Sequence, residues 1–384
     1  MSLPPDSMGN KNENPAERRL VERFLALLRI ASPSRQEGRL AAHLQGELEA
    51  LGFRVEFDSA GARAGSDTGN LIATLPATAA GVEPMIFCCH LDTVTPCADV
   101  HPQIADGVVR SDGTTILGGD DKAGIAAIVE GVQRIRERGV AHGLIQVLLT
   151  ICEEIGMHGA KELDYGKLQG KRVFVLDGEG APGKIVVRGP AKDLIRATVR
   201  GRTAHAGLCP ERGVSAIQVA ARAIELMHLL RIDAETTANI GSIHGGTATN
   251  VVAEEVVVVA EARSLDNARL DAQSAHMKAC FEDAARDFGA TAEVVVERSY
   301  AAFLLDADTP VVGHCMAAMR RLGLTPELVA TGGGSDCNIF NARGLTAVNL
   351  SIGMTDPHAT SESLRLVDLE TTARLVEAII ESRA

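Results

Sequence analysis

Apolar residues recur at helical spacing over the first fifty positions. Leu20, Phe24, Leu27 and Leu28 share one face of a helix predicted over Pro15–Ile30. Leu40, Leu44, Leu48 and Leu51 share one face of a second helix, closed by Gly52. The pattern then changes to short apolar runs, read as strands at Phe53–Phe57, Asn70–Leu75 and Met85–Cys89, with a hairpin expected through Val108–Val109. Ile125, Ile128, Val129, Val132 and Ile135 mark an amphipathic helix after Asp121. A strand over Leu144–Ile151, a short helix near Gly159–Leu163 and a strand over Val173–Leu176 follow. Apolar strands alternating with amphipathic helices predict an α/β domain, a mainly parallel mixed sheet flanked by helices.

The character shifts near Gly189. Asp193–Arg200 alternates apolar and polar positions, as a strand with one wet face does. Gly213–Leu230 and Leu270–Phe288 read as helices; Ile240–Ile243, Val256–Ala262 and Glu293–Glu297 read as strands. Two helices on a small antiparallel sheet make an α+β unit of roughly 100 residues, enough to fold alone. After Tyr300 the first style resumes, with a helix over Val311–Leu322, strands at Glu327–Ala330 and Ala347–Ser351, and a closing helix Leu366–Ser382. The expectation is a catalytic domain formed by 15–190 and 298–384, interrupted by an inserted lid domain, 191–297, and preceded by a disordered lead-in, 1–14. A chain of 384 residues exceeds what one hydrophobic core usually fills, which agrees.

A formal net charge of −12 argues against a nucleic-acid partner, which needs a basic face. No apolar run approaches the ~20 residues of a membrane-spanning helix. The opening MSLPPDSMGNKNENP lacks the basic start and apolar core of a secretory signal. The eight cysteines form no CxxC pair and several fall inside apolar strands, so they read as reduced packing thiols of a cytoplasmic protein.

The chemistry stands at strand ends. His90 and Asp92 follow Met85–Cys89, Glu153 and Glu154 follow Leu144–Ile151, Asp177 follows Val173–Leu176, and His358 follows Ala347–Ser351 across a Gly/Pro loop. Asp120 and Asp121 sit in GGDDKAG, Gly118–Gly124, where the amphipathic helix begins. Open parallel sheets gather ligands beyond the carboxyl ends of their strands. Each residue has a plain reading taken singly: an aspartate pair caps a helix, a glutamate pair is solvated, a histidine packs. Imidazole with carboxylate suits zinc, and one carboxylate can hold two cations a few Å apart. Asp120 is the candidate bridge, with His90 and Asp177 on one metal and Glu154 and His358 on the other. Asp92, two residues from His90, is placed to hold the second ring nitrogen, and Glu153 is left as general base.

Further candidates lie elsewhere. His205 in GRTAHAG is either a substrate or oxyanion contact or a surface histidine. Asn250 in GGTATN either donates to substrate or shapes a turn. Arg263 in EARS either grips a substrate carboxylate or makes a surface salt bridge. Gly333 and Gly334 in TGGGSDCN permit close backbone approach to a ligand, or only a tight turn.

HLDTV, GGDDKAG, EEIGMHGAK, VLDGEG, GRTAHAG, GGTATNVV, EARSLD, GGGSDCNIFN and DPHATSE occur in this order, and together they resemble the co-catalytic zinc exopeptidases. That family includes peptidase T, carboxypeptidase G, acetylornithine deacetylase and succinyl-diaminopimelate desuccinylase, and the likeness is greatest to the peptidase T-like branch. The resemblance implies two zinc ions per subunit, replaceable by cobalt or manganese, held by His90, Asp120, Glu154, Asp177 and His358, with Glu153 as base. It also implies a cis peptide between Asp120 and Asp121, and a homodimer formed through the lid domain, with His205 reaching the partner's active site. The expected activity is hydrolysis of an amide bond in short peptides, as a tripeptide aminopeptidase. A deacylase of N-acyl amino acids or a dipeptidase would use the same metal site. A non-catalytic metal-binding dimer module is the reading from another class, although structural zinc sites are usually closed by four protein ligands.

Overall fold

The computed structural model describes residues 14–382. The expected lead-in lies outside these residues except for Asn14, whose side chain accepts the Ala16 N–H at 3.1 Å and caps the helix Pro15–Leu28. The chain divides into two compact units. One runs to Val187 and includes Leu305–Val329 and everything from Ser335; the other comprises Arg188–Leu304 and Ala330–Gly334.

In the first unit a mixed sheet carries, in spatial order, Arg54–Phe57, Leu71–Leu75, Ile145–Thr150, Met85–His90, Arg172–Glu179, Thr346–Thr355, Ser363–Arg365, Val108–Arg110 and Gln103–Ala105. The four strands from Ile145–Thr150 to Thr346–Thr355 are parallel, and the flanking pairs are antiparallel. Every residue of Met85–His90 and of Ile145–Thr150 is buried. That is why both read as unbroken apolar runs: a sheet covered on both faces has no wet side to alternate toward.

The helix Gly119–Glu137 packs against these strands, and against it pack Pro15–Leu28 and Leu366–Glu381. Its approach is close at Gly124. A Cβ there would stand 2.3 Å from the Leu176 carbonyl oxygen and 2.6 Å from Cys89 Sγ. The absent side chain lets the helix N-terminus rest directly on the strand ends that bear the candidate ligands.

Periodicity understates some elements. The strand predicted to stop at Ser351 continues to Thr355, so His358 stands three residues beyond it. The helix Asp336–Ala342 is too short to show a period; a capping box between Ser335 and Asn338 starts it inside the run read as a tight turn.

The second unit is an antiparallel sheet in the order Leu230–Arg231, Thr236–Gly245, Glu255–Ser264, Ala191–Arg200, Thr291–Tyr300. Ile195, Val199, Val256 and Val258 join Val219, Leu270 and Phe281 from the helices Ala216–Leu226 and Asn267–Phe288 in its core. Along Ala191–Arg200 buried positions alternate with more exposed ones, as the sequence pattern requires of a sheet with one covered face. Residues Ala330–Gly334 cluster with this unit although they follow Tyr300 in sequence. Among the described residues no helix is long and apolar enough to cross a membrane.

Replacing Gly124 by Ala should overpack the contact with Leu176 and Cys89 and cost about 1–3 kcal/mol. Urea unfolding of the variant would show it as a lower midpoint; an unchanged midpoint would contradict the packing described.

Candidate metal centre

Four neighbouring parallel strands lead to members of the centre. His90 is the last residue of its strand, Asp177 lies near the end of Arg172–Glu179, Glu153 and Glu154 follow Thr150, and His358 follows Thr355. Asp120 comes from the start of Gly119–Glu137, and its peptide bond to Asp121 is cis. The two oxygens of Asp120 face different imidazoles. Oδ1 lies 2.9 Å from His90 Nε2, and Oδ2 lies 3.2 Å from His358 Nε2. Each imidazole then meets a carboxylate of its own: Asp177 Oδ1 is 3.7 Å from His90 Nε2, and Glu154 Oε2 is 2.9 Å from His358 Nε2. All five residues belong to the first unit.

Side chain to backbone hydrogen bonds hold the turns that carry these residues. The second nitrogen of His90, Nδ1, lies 2.8 Å from the Asp92 carbonyl oxygen, while the Asp92 carboxylate stands 3.6 Å away. The Asp92 carboxylate, expected at the second ring nitrogen, and the Asp92 carbonyl oxygen thus both face Nδ1, the carbonyl nearer. The same carboxylate also reaches the next loop. It accepts the N–H of Glu153 at 2.9 Å and of Glu154 at 3.2 Å, and the hydroxyl of Ser34 at 2.6 Å. Glu37, fully buried, accepts the Cys152 N–H at 3.0 Å and the Ser66 hydroxyl at 2.6 Å. Glu362 accepts N–H groups from Gly118 and Asp120. Asp121 also turns to the backbone, its Oδ2 accepting the His90 N–H at 3.2 Å. Ser34, Glu37 and Glu362 escape a sequence reading because they sit in polar loops. The signal they do carry is proximity, the first two lying in SPSRQEG between two apolar helices and the third four residues past His358.

The electrostatics are those of a cation site. Burial, together with the neighbouring Asp120 charge, pushes Asp177 up to about 7. Loss of solvent likewise raises Glu153 well above the ordinary carboxylate range and raises Glu154. Burial opposes charge on Asp120 as well, but His358 and His90 outweigh it and hold its carboxyl well below the usual range. Burial also works against a charged His90, yet the carboxylates of Asp120, Asp177 and Asp92 raise it well above the ordinary imidazole value. Asp120 and Glu154 raise His358 to about 10. Glu154 Oε1 is buried without a hydrogen-bond partner. Crowded carboxylates, two imidazoles and an orphaned buried oxygen form a donor set that divalent cations satisfy. The ligand atoms of His90, Asp120 and Glu154 all lie within 4.8 Å of one another, as do those of His90, Asp121 and Asp177.

The remaining candidates lie in the second unit. His205 is exposed, and its Nδ1 accepts the N–H groups of Gly207 and Leu208 at 3.1 Å. Asn250 is beside it: the Asn250 carbonyl accepts the Ala206 N–H at 3.0 Å. Arg263 is engaged by Glu261, Nε to Oε1 at 2.8 Å, and its Nη1 donates to the Gly332 carbonyl at 3.3 Å. Arg263 and Gly332 line a cavity of about 470 Å³ with Arg231, Glu235 and Thr331. Gly333 donates its N–H to Thr331 Oγ1 at 3.1 Å, a turn contact. At Gly334 a Cβ would stand 2.3 Å from the Tyr300 ring, so its bareness accommodates the protein's own aromatic side chain.

A family model described as a peptidase dimerisation domain matches residues 194–288, and one described as peptidase family M28 matches residues 70–203. The aminopeptidase PepT of Bacillus cereus is 44% identical in sequence, with a TM-score of 0.89 over 95% of this chain and 98% of that one. A tripeptidase of Staphylococcus aureus is 42% identical, with a TM-score of 0.92 over the same shares. The protein YqjE of Bacillus subtilis is 42% identical over 368 residues, 96% of this chain and 99% of its own. The chain belongs to the peptidase T-like metallopeptidases. As a metallopeptidase it is a hydrolase, and its metal-ligand candidates are the residues gathered around Asp120.

Because ligands bind metal deprotonated, loading this metallopeptidase should expel protons. His358, raised to about 10, and Asp177, raised to about 7, hold protons at neutral pH in the metal-free protein, so affinity should weaken as pH falls through about 7. Calorimetric titration in buffers of different ionisation enthalpy would report that release; metal uptake without it would refute the assignment.

Proposed function

We propose that this metallopeptidase removes the N-terminal residue of short peptides, tripeptides foremost, using two zinc ions that His90, Asp120, Glu154, Asp177 and His358 would hold. The observation that carries the reading is the division of Asp120: one oxygen toward His90 and Asp177, the other toward His358 and Glu154. Zinc held there would supply a Lewis acid and a lowered pKa for water, with cobalt or manganese as substitutes. Glu154 is engaged with His358, whereas Glu153 is held through its backbone by Asp92. Glu153 is thereby fixed without being consumed. As a carboxylate it would take a proton from the attacking water and return it to the leaving amine. Asp92 is read as holding the second nitrogen of His90 while it also sets the Glu153–Glu154 turn.

The unit around 191–297 is read as the lid and dimerisation domain and the remainder, 15–190 with 298–384, as the catalytic domain. The match of residues 194–288 to a peptidase dimerisation domain supports a homodimer. His205, Asn250 and Arg263 are read as substrate contacts, with the Gly333–Gly334 loop beside Arg263. A cytoplasmic location accompanies the reading, supported by eight free cysteines, seven of them buried.

Replacing Glu153 by Ala should lower kcat by about 10²–10⁴-fold while metal content stays at the wild-type level. Substantial residual turnover would transfer the role of base elsewhere. Among tripeptides, dipeptides and N-acetyl or N-succinyl amino acids, tripeptides with a free amino terminus should be cleaved fastest in zinc-loaded protein. Preference for an N-acyl amino acid would make the enzyme a deacylase instead.

A further inference from the structure

Glu362 is 1% exposed, and its two carboxylate oxygens are spent on one turn. Oε2 accepts the Gly118 N–H at 2.7 Å and Oε1 accepts the Asp120 N–H at 3.0 Å. Gly118 is left-handed, φ 76°, and a Cβ on Gly119 would stand 3.0 Å from Oε1. The turn thus forms a nest of backbone N–H groups around an anion, possible because both glycines are bare. The buried Lys122, whose ammonium donates to the Ile30 carbonyl at 2.8 Å, supplies opposite charge to Glu362. Glu362 is also tied to the loop of His358, donating its own N–H to the Ala359 carbonyl at 3.0 Å. That loop needs an anchor. His358 has φ 66° and a side chain 53% exposed, and the neighbouring Ala359 N–H reaches the Asp356 carbonyl only at 3.4 Å.

We propose that Glu362 is a positioning residue that latches the Asp120 turn to the His358 loop and so sets the 3.2 Å approach of Asp120 Oδ2 to His358 Nε2. The inference rests on the metal-centre reading above. It assigns the two sides of the centre different dependence on Glu362. The His90–Asp177 side is built on buried parallel strands, whereas the His358 side hangs on a loop, and only the latter needs the latch.

The test measures affinity for zinc at both sites, by chelator competition and by the absorption of the cobalt-loaded protein, in Glu362→Gln and Gly119→Ala. The amide of Gln presents a donor to one of the two N–H groups, and the methyl of Ala displaces the carboxylate while leaving it charged. One site should weaken about 10–100-fold in Glu362→Gln while the other keeps its wild-type affinity. Turnover lost at limiting zinc should return with excess zinc at unchanged KM, and the metal-free protein should melt as wild type does. Gly119→Ala should weaken the same site. Two wild-type affinities would overturn the proposal, as would equal weakening of both sites with a lowered melting temperature. His358→Ala separates the two readings. If it weakens one site while Glu362→Gln does not, the latch alone fails; if it leaves zinc binding unaltered, the metal centre itself is misassigned and the latch falls with it.

Discussion

Negative charge gathered out of water is the constraint on which this protein turns. Asp120, Glu154 and Asp177 converge with two imidazoles at one edge of a sheet whose strands are themselves buried. Carboxylates so placed cannot all ionise without compensating charge. The two histidines compensate in part, and Asp120 is ionised between them at the expense of its neighbours, whose carboxyls are driven upward. The arrangement is strained electrostatically as protein alone and complementary to divalent metal. Parallel strands make it possible, because they deliver side chains from distant parts of the chain to the same rim.

Holding such a cluster is a second problem, solved by carboxylates that turn to the backbone. Asp92 takes the N–H groups of Glu153 and Glu154, Glu37 takes that of Cys152, and Glu362 takes those of Gly118 and Asp120. Each captures backbone donors from a turn that bears a candidate ligand or the proposed base. Those donors lie at strand and helix ends, where no ladder satisfies them, and leaving them bare in the interior would cost about 1–3 kcal/mol each. The same bonds that stabilise the turns therefore fix where the reactive side chains point.

The two units answer different demands with different sheets. In the first, strands covered on both faces carry apolar residues without interruption, and the polar chemistry is confined to their ends. In the second, an antiparallel sheet covered on one face alternates along its strands and keeps a more accessible surface. The family match to a dimerisation domain falls on that second pattern.

Hydrophobic periodicity alone determined the long helices, most strands, the mixed parallel sheet and the change of style near residue 190, because burial of a face is written locally at spacings of two or 3.6. The positions of His90, Asp120, Glu154, Asp177 and His358 at element ends were equally legible, since a polar residue closing an apolar run is conspicuous. Tertiary structure alone decided which groups meet. It brought the Asp92 carboxylate to the Glu153–Glu154 turn, filled the space at Gly334 with Tyr300, and set Glu362 against a turn 242 residues earlier in the chain. Such contacts join a side chain to the backbone of a remote loop. Any backbone N–H can serve as the donor whatever its side chain, so no residue pattern announces the partner.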